Sequence, residues 1–186
     1  GSSAVAAVTA AGKVCNFLAC PYDAMGSTMA TYGGQNVGAG RLERLDKGLK
    51  SCVLLGAAYA VIAVLIAVFG GGLLARLFVD GSETEIIHQV RQFLIWNTAF
   101  YFPLALVNIV RFLIQGMGFA SFAILAGVFE MTARSLAGFV LVPMIGYTGV
   151  CLGSPIAWIF ADAFLIPAYF HVKKVLMRRK TEYYSA

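Results

Sequence analysis

The sequence predicts an all-α integral membrane protein with about five transmembrane helices. Apolar residues make up 60% of the 186-residue chain and charged residues only 12%, whereas soluble domains are about half apolar and about one quarter charged. Long uncharged stretches recur, and about 20 apolar residues suffice to cross a bilayer as a helix. The segments between them alternate between basic and non-basic, as a single threading of the membrane requires. A soluble chain of this length could bury a core, but it would need a polar outer shell that this composition lacks.

The first span, residues 4–37, is rich in Ala, Gly, Ser and Thr and holds Lys13, Pro21 and Asp23. Small residues allow close helix contact in lipid and hydroxyls can line a polar interior, so this helix is expected to face protein and a cavity. The second, residues 51–79, is uncharged from 51 to 75 and rich in Val, Leu, Ile and Ala. The third, residues 86–114, is uncharged from 92 to 110 and carries Trp96, Tyr101 and Phe102. Pro103 should kink it near the middle. The fourth, residues 119–145, is apolar except for Glu130 and Arg134 and should stop near Pro143 and Gly146. The fifth, residues 149–171, contains Pro155, Asp162 and Pro167. No linker or internal repeat divides residues 1–186, which read as one domain.

Arg41, Arg44, Lys47 and Lys50 follow the first span, and Lys173, Lys174, Arg178, Arg179 and Lys180 follow the last. Both groups are expected in the cytoplasm, with the carboxyl end inside. The acidic loop 80–85 and the uncharged turn 146–149 are then external. This placement accounts for the formal charge of +5 without nucleic acid, because the basic residues flank apolar runs instead of forming one face. Cys15, Cys20, Cys52 and Cys151 form no C-x-x-C pair, and reduced cysteine in apolar surroundings behaves as a small hydrophobe. Gly33, Gly34, Gly38 and Gly40 lack the strand and the G-K-[ST] of a phosphate loop. His88 and His171 belong to no triad or ligand pattern. Neither enzyme chemistry nor a bound cofactor or metal is expected.

Ionisable residues at membrane depth are costly and tend to face a bundle interior or a cavity. Glu130 and Arg134 stand four apart, share a helix face and can form a charge-assisted pair. Their bland reading is a static pair that neutralises itself and fixes packing. Asp162 lies one turn after Trp158 and suits either a relay or a contact between helices. Asp23 follows Pro21, whose missing N–H should leave helix carbonyls for water or a cation. Arg111 ends its span and is expected at the cytoplasmic interface. Met29, Tyr32 and Trp158, with Met25, Trp96 and Tyr101, could line a cavity for an apolar or cationic molecule, since methionine adapts its shape and aromatic faces attract cations.

The run MATYGGQNVGAGRLER at residues 29–44 resembles the helix end and cytoplasmic loop of the multidrug and toxic compound extrusion (MATE) family. Arg111 with LIQGMG, GVFEMTAR at 127–134 and GYTGVCLGSPIAW at 146–158 resemble the family's succeeding landmarks. The resemblance covers nearly the whole chain. It implies a secondary antiporter of the prokaryotic plasma (inner) membrane that expels amphipathic or cationic compounds in exchange for sodium ions or protons. Family members have two bundles of six helices, and these landmarks fall in the last five helices of the second. The chain is thus expected to be most of a carboxy-terminal bundle, its partners being membrane lipid, small-molecule substrates and a missing amino-terminal bundle. One branch has an acid in the helix corresponding to residues 92–110; this chain has none there, so a sodium site of that kind is not implied. The alternatives are a lipid-linked oligosaccharide flippase of the same superfamily and a non-transporting membrane assembly subunit. Membrane-depth charges of both signs tilt the reading toward drug export.

The topology is directly testable. A cysteine at Ser82 should react with an impermeant thiol reagent from outside intact cells, and one at Gly48 should not; labelling in the loop at residues 41–50 overturns the assignment.

Overall fold

The computed structural model describes residues 2–185, and every regular element among them is helical. In chain order these are α1 (Ser2–Gly38), a 3₁₀ turn (Leu42–Arg44), α2 (Leu45–Arg76), α3 (Thr84–Ala99), α4 (Tyr101–Gly116) and α5 (Ala120–Leu136). A π-helical stretch (Ala137–Leu141), α6 (Val142–Ile145) and α7 (Tyr147–Ser185) complete the order. Four spans are long and apolar enough to cross a membrane on their own, and α3 with α4 makes a fifth that is bent by 52°. The protein is an all-helical, multi-pass membrane bundle.

The bend in the third span does not fall at Pro103. It falls at Phe100, which closes α3 by donating its N–H to the Asn97 carbonyl at 3.1 Å. Proline lacks a bond to the carbonyl four residues earlier and its ring presses on that group. For Pro103 the carbonyl is that of Ala99, so the helix breaks just after Ala99 and Pro103 sits in the first turn of α4. The fifth span also differs from its expected end. Helix α7 runs well past residue 171, because the basic tail is built from Lys, Arg, Leu and Met, all good helix formers. Helix α2 starts at Leu45, ahead of the uncharged run, where Leu42 and Leu45 are buried and anchor it.

Small residues face inward. The buried stripe of α2 is Gly56, Ala60, Ala63, Ala67, Gly71 and Ala75, while Leu54, Ile62, Leu65, Phe69 and Leu73 point outward. A soluble helix would reverse that pattern; in lipid, bulky apolar groups lose nothing outside and small ones let backbones approach. Helix α1 lies against α2, α3 and α4, as its composition implies. A side-chain carbon at Gly26 would meet the Phe112 ring, and one at Gly116 would overlap the Ala30 carbonyl. Gly146, at φ 58°, ends the fourth span where other residues would be strained.

Pro21 does not interrupt α1. Carbonyls of the preceding turns accept hydroxyls from other helices: Tyr59 donates to Leu18 O at 2.9 Å and Tyr101 to Cys15 O at 3.1 Å. At the end of the bundle with the basic segments, Tyr169 donates to Asp46 Oδ1 at 2.7 Å and Lys173 pairs with Asp46 Oδ2. Tyr32 donates to the Arg44 carbonyl at 2.7 Å and its ring lies against Gly48. A cysteine at Gly48 would therefore overlap that ring, and exposed Lys47 is the better labelling position in the same loop.

The close approach of α1 and α4 sets a stability test. Gly116→Ala should destabilise the bundle by about 1–3 kcal/mol, the usual range for overpacking. Gly72→Ala, which meets open space, should be neutral or stabilising by a few tenths of a kcal/mol to about 1 kcal/mol. Thermal unfolding in detergent reads both; equal melting temperatures for the two variants would refute the contact.

Candidate functional site

Glu130 stands at the centre of an ionic cluster. Its Oε1 accepts from Arg134 at 3.1 Å, the four-residue pair expected within α5. Its Oε2 accepts from Arg111 of α4 at 2.6 Å, and this is the tighter contact. The Arg111 and Glu130 side chains are 23% and 20% exposed, whereas Arg134 is 52% exposed. The interhelical pair is therefore the better shielded of the two.

Arg111, which the sequence places at the end of its span, is turned toward α5. Side chains on a helix tilt toward its amino terminus, and for Arg111 that direction runs away from the nearby end of α4 at Gly116. The guanidinium is carried toward Glu130. Sequence reading missed this contact because it joins different helices, although the tilt rule gave a usable signal for its direction.

Asp162 of α7 is 7% exposed and lies within electrostatic range of Arg111 and Glu130. Its Oδ1 and the Nε of Arg111 are buried, and neither has a hydrogen-bond partner among the described residues. Unpaired buried polar atoms are uncommon and costly, and two of them lie in this one cluster. Helix α7 places Asp162 on its inner face with Trp158, Ala161, Leu165 and Tyr169, at the three- and four-residue spacing of a helix.

Arg134 connects this cluster to a cavity of about 260 Å³. Its wall includes Asn16 of α1, Asn97 of α3, Tyr101 of α4, Arg134 of α5, and Ser154 and Trp158 of α7. Asn97 is held by donating to the Phe93 and Cys151 carbonyls at 3.1 and 3.2 Å. The Tyr101 and Trp158 rings meet edge to face with centroids 6.1 Å apart, and Tyr101 also meets Tyr22 at 5.6 Å. The lining thus combines aromatic rings and small or aliphatic groups with two amides, a hydroxyl and a guanidinium.

Of the residues singled out from sequence, Glu130, Arg134, Asp162 and Trp158 come together here. Met29 is buried in the core, Tyr32 fastens the end of α1 to the following turn, and Asp23 is exposed on α1; none of them lines this cavity. The orientation of α1 decides this, since Asp23 lies about 100° around the helix from Tyr22 and falls on the exposed face. Tyr22 takes the buried position.

A model of the MatE family matches residues 1–140 of the 186. The chain belongs to the MatE family. The family consists of membrane efflux transporters. Comparisons with curated proteins and with solved structures give no match. Within this MatE chain, Arg111, Glu130 and Arg134 fall inside the matched region, while Trp158 and Asp162 follow it.

The unequal shielding of the two arginines predicts unequal losses. Arg111→Gln should destabilise the protein by about 2–4 kcal/mol, near the range for breaking a buried pair. Arg134→Gln should cost less than about 1 kcal/mol, as exposed four-residue pairs do. Denaturation in mixed micelles measures both, and a larger loss for Arg134→Gln would contradict the assigned hierarchy.

Proposed function

We propose that this chain works as part of a secondary active antiporter that exports amphipathic or cationic drugs in exchange for sodium ions or protons. One observation carries the reading: a shielded ionic cluster, Arg111, Glu130 and Arg134 with Asp162 beside it, adjoins an aromatic and polar cavity through Arg134. Charges at membrane depth are costly to maintain, and groups that exchange partners there can couple ion movement to a change of conformation. Aromatic walls suit flat apolar substrates and attract cationic ones. No step in this cycle makes or breaks a covalent bond, so the reading is of a transporter and not an enzyme.

In this proposal the chain supplies most of one six-helix bundle, the carboxy-terminal one. An amino-terminal bundle completes the transporter, and substrate crosses between the two, as in transporters whose repeats enclose a site near the midplane. The carboxyl end lies in the cytoplasm of a prokaryotic cell and the spans in its plasma membrane, a reading supported by the basic residues of loop 41–50 and the tail.

The test separates folding from coupling in the full-length transporter encoded by the gene. Glu130→Gln should lower drug export at least about 10-fold, corresponding to about 1.4 kcal/mol, while expression is preserved. Replacing Glu130 and Arg134 alone would strand Arg111, and removing Arg111 would strand Asp162, so the neutral control is the quadruple variant Arg111→Met, Glu130→Leu, Arg134→Met, Asp162→Asn. That variant should fold, because removing all partners of a buried ionic group is often neutral for stability, yet fail to export. Export at the parental rate by the quadruple variant would reduce the cluster to packing and end the coupling proposal.

A further inference from the structure

Nine basic residues gather at one end of the bundle: Arg41 and Arg44 in the turn after α1, Lys47 and Lys50 at the start of α2, and Lys173, Lys174, Arg178, Arg179 and Lys180 on the extension of α7. Only Glu43, Asp46 and Glu182 oppose them there. The two oxygens of Asp46 already accept from Tyr169 and Lys173. Positive charge therefore exceeds negative charge at this end of the bundle.

Part of that charge borders a cavity of about 360 Å³ between the end of α1 and the extension of α7. Val37, Leu42 and Leu176 form its apolar wall, Arg179 and Lys180 its cationic wall, and the glycine-containing turn at 38–40 its rim. The Arg179 guanidinium rests over the Phe119 ring, 5.9 Å from its centroid. Lys180 Nζ donates to the Gly40 carbonyl at 2.6 Å, which leaves further donors on an ammonium that has three. The backbone N–H groups of Ala39, Gly40 and Arg41 are bonded to the Gln35, Val37 and Asn36 carbonyls. An anion in this cavity would be held by side-chain charge and not by turn amides.

We propose that this cleft seats the headgroup of an anionic phospholipid, with its phosphate between Arg179 and Lys180 and its glycerol end against Val37, Leu42 and Leu176. Depth supports a lipid as the occupant. Helix α7 rises about 1.5 Å per residue, so Arg179 and Lys180 stand only about 3–6 Å beyond Leu176 and Met177, apolar residues of its last turns. Each headgroup layer adds about 5–8 Å to the hydrocarbon core, and long basic side chains reach back toward it. A basic pocket beside membrane-spanning helices at this level matches anionic headgroups in charge. The apolar wall beside the cations distinguishes the cleft from a purely electrostatic surface.

The test uses the whole chain in detergent, titrated with phosphatidylglycerol and, separately, phosphatidylcholine, with bound lipid counted by native mass spectrometry. Phosphatidylglycerol should be retained at least about 5-fold more tightly, and Arg179→Gln or Lys180→Gln should each weaken it by about 5-fold, the effect of one basic side chain near a charged membrane surface. Lys47→Gln removes the same charge from the same end but outside the cleft and should leave retention within about 2-fold. Arg179→Lys keeps the charge and should retain binding, which separates loss of the site from loss of folding. Equal weakening by Lys47→Gln would mean general surface attraction and overturn the proposal. So would equal retention of phosphatidylcholine, or displacement of the lipid by millimolar inorganic phosphate, which would assign the cleft to a free anion.

Discussion

The backbones of α1 and α4 approach so closely that Gly116 lies on the carbonyl of Ala30, and the rest of the bundle is arranged around that contact. In water, helices associate by hiding apolar faces; in lipid that drive is absent, and association rests on close packing and on hydrogen bonds between helices. The small inner residues of α1 and α2 make the approach possible, and tyrosines supply the bonds, with Tyr59 and Tyr101 reaching carbonyls of α1. Because α1 is held centrally, α3, α4 and α7 can surround one polar cavity beside it. The large apolar side chains left outside on α2 follow from the same constraint.

Within that frame the direction of helical side chains governs the electrostatics. Glu130 lies on α5 between a partner on its own helix and one on α4. The partner from the other helix is closer because Arg111 leans toward the start of α4 and into the bundle. One carboxylate thereby ties the third span to the fourth, while Arg134 remains open enough to border the cavity. A change in the charge of Glu130 would be felt both between helices and at the cavity wall, which is why packing and transport readings of this cluster require separate measurements.

The opposite arrangement holds at the basic end. There Asp46, Tyr169 and Lys173 fasten α2 to α7, and Lys180 fastens the extension of α7 to the turn after α1. These contacts hold one end of α7 rigidly to the loop region, leaving an amphipathic cleft between them. The long α7 is thus both a wall of the central cavity, through Ser154 and Trp158, and a wall of this cleft, through Leu176 and Arg179.

The sequence by itself determined the class of the molecule and the positions of its four to five candidate spans, because the capacity to cross a bilayer depends on local quantities, length and hydropathy. It also carried the pairing of Glu130 with Arg134, which helical spacing places on one face. The break at Phe100 was legible only to within a few residues, since proline acts on a carbonyl that precedes it. Tertiary structure alone decided that Arg111 meets Glu130, that Tyr22 and not Asp23 turns inward on α1, and that Trp158 and Arg134 border one cavity while Met29 and Tyr32 do not. Each of those depends on which faces of separate helices meet, and a helix shows its own periodicity without naming the neighbour that will cover it.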